Sequence, residues 1–237
     1  MKIPSILEML QAGVHFGHQT TRRHPKMDEF IFTQRNGVHI IDLEKTKLKV
    51  EESLVQIQKM AQEGKTILFV STKPQAKEIV KQAAIDCGMP YLVDRWIGGL
   101  ITNFSEIKKL IARYNTLKEQ QASGELERYT KKEQVDFAKQ IEKMDGSLSG
   151  LTTLKKLPDV LFIPSLQREK TAVVEATKMR VPIIGISDTN ANPDKADLFI
   201  PANDDAINSI KMMVNLVAGA IKEGVDRQEK TIGQKEA

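Results

Sequence analysis

Short runs of consecutive apolar residues alternate along this chain with longer stretches whose apolar positions recur every three or four residues. The runs are Thr66–Ser71, Tyr91–Val93, Asp159–Ile163, Pro182–Ser187 and Leu198–Ile200. Continuous apolar runs of this length suit strands buried on both faces of a parallel sheet. The stretches between them predict helices from about Pro74, over about 168–179 and over about 204–222, with a further helix over about 42–63 stopped by Gly64. Strands alternating with helices predict an α/β fold built on a doubly wound parallel sheet.

Before the first run the pattern differs. Ser5 and Glu8 form a capping box for a short helix that Gly13 can end. Ile31-Phe32 and Val38–Ile41 flank Asn36-Gly37, a dipeptide that favours a tight hairpin. Between Leu100 and Leu157 no strand is predicted. Leu100, Phe104, Ile107, Ile111 and Tyr114 are spaced 4, 3, 4, 3, and so are Phe137, Ile141, Met144, Leu148 and Leu151. Two heptad seams around a break at Ala122-Ser123-Gly124 predict an antiparallel helical hairpin. The chain divides on this reading into a discontinuous sheet domain of 1–99 and 152–224, a helical hairpin insertion of 100–151, and a flexible polar tail of 225–237.

Composition narrows the function. The chain has 237 residues and a formal net charge of +4, too mild for a polybasic nucleic-acid binder, so any such surface is a local patch. The single cysteine, Cys87, excludes an intrachain disulfide and falls in an apolar helical stretch, as a small core residue would. No apolar stretch approaches the ~20 residues that span a bilayer. The N-terminus lacks the pattern of a signal peptide. A cytoplasmic protein is expected.

The sheet invites a nucleotide-enzyme reading, but no G-x-G-x-x-G follows any strand. Gly64-Lys65-Thr66 precedes a strand, whereas a phosphate loop follows one. Carboxylates at strand ends are the remaining candidates: Asp188 after the fourth run, Asp204 and Asp205 after the fifth. Ligand sites of open parallel sheets lie beyond the carboxyl ends of strands. These residues serve either as turns and caps or, with His18 folded across that edge, as a zinc or magnesium site. The cluster Arg22, Arg23, His24 and Lys26 is either a solvated loop or a phosphate-binding patch. Arg95-Trp96-Ile97-Gly98-Gly99 either turns the chain at the base of the hairpin, contacts RNA, or does both.

Several long motifs carry a resemblance. They are Ala12–Thr20, Pro25-Lys26-Met27, Arg35–Thr46, Arg95–Phe104, Leu157-Pro158-Asp159, Asp188-Thr189-Asn190 and Asn203–Ile207. In this order they resemble the bacterial small-subunit ribosomal proteins conventionally numbered two, from about Ile6 to Val225. The resemblance implies a flavodoxin-like sheet carrying a protruding coiled-coil hairpin. It also implies a structural role in the small ribosomal subunit, with ribosomal RNA bound near the head–body junction. The expected partners are that RNA and neighbouring ribosomal proteins, including the large messenger-capturing ribosomal protein one, which it would help dock. No DNA, membrane, required cofactor or catalysis is implied. The candidate RNA contacts are Arg22, Arg23, His24, Lys26, Arg35, Arg95, Trp96 and Asn103; the candidate metal ligands are His18, Asp188 and Asp204. Three positions depart from the family pattern: Pro164-Ser165 stands where a carboxylate is usual, and Arg180 and Ala202 stand where glycines are. The competing readings are an α/β small-molecule enzyme and a free adaptor whose hairpin binds a partner helix.

Overall fold

The structure, a computed structural model, describes residues 3–236, with side chains to residue 228. In chain order its elements are α1 (Ile6–Gln11), β1 (Phe16–Gln19), β2 (Ile31–Arg35), β3 (Val38–Ile41), α2 (Leu43–Gln62), β4 (Ile67–Val70), α3 (Lys77–Asp86) and β5 (Tyr91–Leu92). Then follow α4 (Phe104–Ala122), α5 (Lys131–Leu148), β6 (Val160–Ile163), α6 (Lys170–Met179), β7 (Ile183–Ser187), β8 (Leu198–Pro201) and α7 (Ile207–Glu236).

Strands β4 to β8 form a parallel five-stranded sheet in the order β5-β4-β6-β7-β8. Numbered within the sheet this is 2-1-3-4-5, the flavodoxin-like order, whose switch point falls between β4 and β6. Alternate residues of each strand enter different layers. Ile67, Phe69, Val160 and Phe162 join α2, α3 and α7 in one core. Leu68, Val70, Leu161 and Ile163 join α6 and the start of α4 in the other. Phe69 and Phe162 meet edge to face, with ring centroids 5.0 Å apart. Cys87 is buried in the first core, and burial pushes its thiol up to about 11.

The expected hairpin of β2 and β3 turns on Asn36 (φ 51) and Gly37 (φ 75). Its partner β1 has no counterpart in the apolar pattern: Phe16–Gln19 adds to the free edge of β3 and completes a small antiparallel sheet. Phe16-Gly17-His18-Gln19 has no alternation of apolar and polar residues to mark it, and it becomes a strand on the edge offered by β3.

Helices α4 and α5 carry the two heptad seams. Ile107, Ile111, Tyr114, Ile141 and Leu148 are buried, while Phe104, Phe137 and Met144 are half-buried. The Tyr114 hydroxyl donates to Asp145, and Lys118 Nζ lies 2.6 Å from the same carboxylate. Ile107, Ile111, Tyr114 and Leu148 belong to the same buried cluster as Leu68 and Val70 of the sheet. The base of the helical pair is therefore part of the core.

The segment from Val225, expected to be a flexible tail, instead continues α7 as far as Glu236, with Ala237 outside the described residues. Val225 packs against the first core and Gln58 Nε2 donates to Glu223 Oε2 at 2.8 Å. Val225 against the core and Gln228 beside Gly64 carry α7 past Gly224.

Arg180 ends α6 in the left-handed region (φ 56), where glycine costs no steric strain. Arg180→Gly is expected to stabilise the protein by about 0.5–1 kcal/mol, read as a higher urea midpoint with an unchanged m-value. An unchanged or lower midpoint would show that the arginine side chain offsets its backbone strain.

Candidate functional site

The carboxyl ends of the parallel strands converge on one edge. After β4 come Ser71-Thr72-Lys73, after β6 Ser165, after β7 Asp188-Thr189, and after β8 Asn203-Asp204-Asp205. Asp188 and Asp204 are fully or almost fully buried, at 0% and 3% exposure. Asp188 accepts from the Thr189 amide at 2.5 Å and hydroxyl at 3.1 Å through Oδ1, and from the Asp204 amide at 3.2 Å through Oδ2. Asp204 accepts from Ser165 Oγ at 2.5 Å and from Lys73 Nζ at 2.9 Å. Lys73 also reaches Asp205 at 2.7 Å and donates to the Asp204 carbonyl. His18 crosses this edge, with Nδ1 3.1 Å from Asp188 Oδ2 and Nε2 3.3 Å from Asp205 Oδ2. The Nδ1 approach is close but poorly aligned, so that nitrogen has an ionic neighbour and no well-formed hydrogen bond.

The electrostatics follow from burial and proximity. Burial raises the Asp204 carboxyl above its usual range, and the Asp188 charge adds to this against Lys73 and Ser165. Burial also pushes Asp205 up, but its bond from Lys73 outweighs that and holds it low. Contact with Asp188 raises the His18 imidazole, opposed by burial and helped by Asp204 and Asp205. Lys73 is held up by its carboxylates despite burial.

The Asp188 carbonyl accepts from the Ala191 amide at 3.0 Å, which closes a turn, and its carboxylate faces His18. Asn203 accepts from the Asp205 and Ala206 amides before α7 begins and donates to the Gly13 carbonyl at 3.0 Å. It thereby ties the end of α1 to the sheet edge. Lys73, Thr189 and Ser165 are not among the site residues expected from the sequence. Lys73 supplies the cation, Thr189 receives the N-terminal segment, and Ser165 donates where a family carboxylate is absent. The place of Lys73 just past the carboxyl end of a parallel strand is the sequence signal that could have found it.

The N-terminal segment is fastened to this edge by its backbone. The His18 amide donates to Thr189 Oγ1 at 2.9 Å and the His24 amide to the Thr189 carbonyl at 2.8 Å. A Cβ on Gly17 would lie 2.6 Å from Thr189 Cγ2, so only glycine allows this approach. Arg22, Arg23 and Lys26 are all exposed. Arg23 pairs with Asp28 at 3.1 Å and Lys26 pairs with Asp194. Exposed pairs of this kind contribute about 0–1 kcal/mol and yield readily to phosphate. Arg22 and Arg35 have no ion pair among the described residues.

The Arg95–Asn103 loop lies at the switch point. Buried Glu175 of α6 organises it: Oε1 accepts from Trp96 Nε1 and the Gly99 amide, both at 2.9 Å, and Oε2 from the Ile101 and Thr102 amides and the Thr102 hydroxyl at 3.1–3.2 Å. Glu175 shares the apolar stripe of Ala172 and Ala176, the one sequence signal that it points inward. Arg95 and Asn103 are exposed and Trp96 is half-buried.

These features define an α/β protein whose sheet edge is occupied by its own side chains and an exposed basic segment. A family profile described as Ribosomal protein S2 matches residues 9–224, and the chain belongs to the ribosomal protein S2 family. This is a family of structural small-subunit ribosomal proteins, not of enzymes, with ribosomal RNA and ribosomal proteins as partners. Among the described residues no helix is long and apolar enough to cross a membrane.

Glu175→Ala strips the acceptor from buried amides and is expected to cost at least about 2 kcal/mol of stability. Burial pushes the Glu175 carboxyl up, but the bonds from Trp96, Gly99, Thr102 and Ile101 outweigh it and leave the carboxyl below its usual 4.5. A depressed folded value means a contribution present above pH 4.5 and lost as pH falls through the folded value. The stability gap between wild type and Glu175→Gln, measured by urea unfolding, should shrink on acidification below pH 4.5. A gap that widens contradicts the assignment.

Proposed function

We propose that this protein is an RNA-binding structural constituent of the small ribosomal subunit, seated near the head–body junction, cytoplasmic and ribosome-bound. We further propose that it helps dock ribosomal protein one, with α4 and α5 as a coiled-coil projection. The observation that carries the RNA-binding reading is the basic segment held in place by His18, His24 and Thr189. An arm already fixed on a rigid edge binds phosphate without a large ordering cost. Candidate contacts are Arg22, Arg23, His24, Lys26 and Arg35 there, and Arg95, Trp96 and Asn103 at the switch point. The division into a sheet domain of 1–99 and 152–224 and an insertion of 100–151 is part of the same proposal, with the insertion's base sharing the core.

Replacing Arg22, Arg23 and Lys26 together by Gln should weaken binding to ribosomal RNA and flatten its salt dependence. The slope should fall by about 0.7–0.9 for each phosphate that is no longer neutralised. A filter-binding salt series with an unchanged slope removes this segment from the interface.

A structural zinc or magnesium ion at His18, Asp188 and Asp204 is the second element of the proposal. Ligand atoms of these residues and Asp205 lie within 4.8 Å of one another. Two ligands of one tetrahedral zinc sit about 3.4 Å apart, given bonds of about 2.0–2.2 Å. The donors fit after small shifts, and the poorly aligned His18 Nδ1 suits a shared cation better than a direct bond. When bound, the ion would supply positive charge between the two buried carboxylates. Lys73 would remain the counter-charge of Asp205, and His18 would carry the N-terminal segment. Elemental analysis of purified protein should find about one metal ion per chain, lost in His18→Ala and reduced in Asp188→Asn. Wild-type protein without metal above background, alone and in the subunit, sinks this element.

A further inference from the structure

A second crevice opens on the carboxyl edge of the sheet, at the switch point between β4 and β6. Its volume is about 540 Å³, within the range of about 300–1,000 Å³ for small-ligand sites. Open α/β sheets bind ligands at this place because the two chains leaving β4 and β6 turn to opposite sides and leave a gap. Thr72, Arg95, Trp96, Gly98, Arg168 and Thr171 line it, from the ends of three strands.

The chemistry of the walls is unequal. Arg95 and Arg168 are exposed and form no ion pair among the described residues. Of the two carboxylates nearby, Asp94 pairs with Lys77 at 3.0 Å, and buried Glu169, which has no ion pair among the described residues, accepts from the Thr72 amide at 2.5 Å and hydroxyl at 2.8 Å through Oε1. No side chain caps α6, whose first turn carries Thr171. Two guanidinium groups on one wall favour a phosphate. On the other wall stands Trp96. Its N–H is held by Glu175, so the indole is fixed in place and offers only its ring to a ligand. At Gly98 a Cβ would meet nothing within 4 Å, so the glycine leaves that wall open.

We propose that this crevice is a nucleotide site, taking one unpaired nucleotide with its phosphate on Arg95 and Arg168 and its base stacked on Trp96. Splayed single-stranded bases on aromatic side chains are the usual mode of RNA recognition outside helices. The space is far larger than a phosphate ion needs and too small for a duplex. The inference rests on the RNA-binding reading above, and it adds the kind of nucleotide contacted and the pocket that takes it.

Trp96 is the only tryptophan, so its fluorescence reports this crevice alone. The full-length protein is titrated with a labelled single-stranded RNA decamer, with AMP, with inorganic phosphate and with ribosomal RNA. Binding is followed in parallel by anisotropy for the decamer and by filter retention for ribosomal RNA. Saturable quenching by the decamer is expected, with Arg95→Gln and Arg168→Gln each weakening it about tenfold, as is typical of one strong contact. Trp96→Ala should weaken decamer anisotropy by about fivefold or more and Trp96→Phe much less, as stacking predicts. Both arginines are exposed, so the unfolding midpoints should not move.

Quenching by AMP without binding of either RNA would overturn both the RNA-binding reading and the RNA contact proposed here, and would leave a pocket for a free nucleotide. Ribosomal RNA retained equally by wild type and both arginine variants, with Trp96 silent, overturns the pocket and leaves the RNA-binding reading standing. Quenching by inorganic phosphate as strong as by AMP overturns the base-stacking half. Absence of any binding overturns both readings.

Discussion

Two buried carboxylates, Asp188 and Asp204, end neighbouring strands, and burying them together requires donors and cations around them. Much of the rest answers this constraint. Lys73 leaves β4 to meet Asp204. Ser165 leaves β6 to donate to the same carboxylate, and the Asp204 amide turns back to Asp188. What remains unbalanced draws His18 and, through it, the whole N-terminal segment. The position of the basic residues is thus decided by charge buried elsewhere. A largely polar segment becomes ordered because the sheet edge supplies both an acid and a hydroxyl for it.

Glu175 plays the corresponding part on the other face. An irregular loop between β5 and α4 leaves amides that no ladder can satisfy. One carboxylate rising from α6 collects several of them together with the Trp96 indole. The loop is then rigid, and so is the aromatic wall of the switch-point crevice. The two carboxylate clusters share a principle: fixed acceptors inside the fold position irregular chain outside it. In one case the chain so placed carries arginines and a lysine, in the other a tryptophan flanked by an arginine.

The helical pair has a double character. Its outer half packs on itself, as shown by Tyr129 and Phe137 meeting with ring centroids 5.1 Å apart near the turn. Its base merges with the sheet through Ile107, Ile111 and Leu148. A lever rooted in a core transmits orientation, whereas one attached by a loose linker does not. Departures from the family pattern are absorbed locally. Ser165 fills its place with a hydroxyl, and Arg180 adopts the backbone that a glycine would.

The sequence by itself determined the features set by neighbours in the chain. Apolar runs marked the five parallel strands, Asn36-Gly37 marked the hairpin, and the heptad spacing marked α4 and α5. Strand-end acids and a histidine were legible as candidates because fold class tells which ends of strands face a ligand. Tertiary structure decided the rest. Phe16–Gln19 becomes a strand on the free edge of β3, and α7 extends past Gly224 with Val225 against the core and Gln228 beside Gly64. Lys73, Thr189 and Glu175 act on residues more than seventy positions away in most cases, at distances no local pattern encodes. Hydrophobic period is a property of a segment. Charge compensation between buried groups is a property of the folded whole, and here it sets where the exposed basic segment lies.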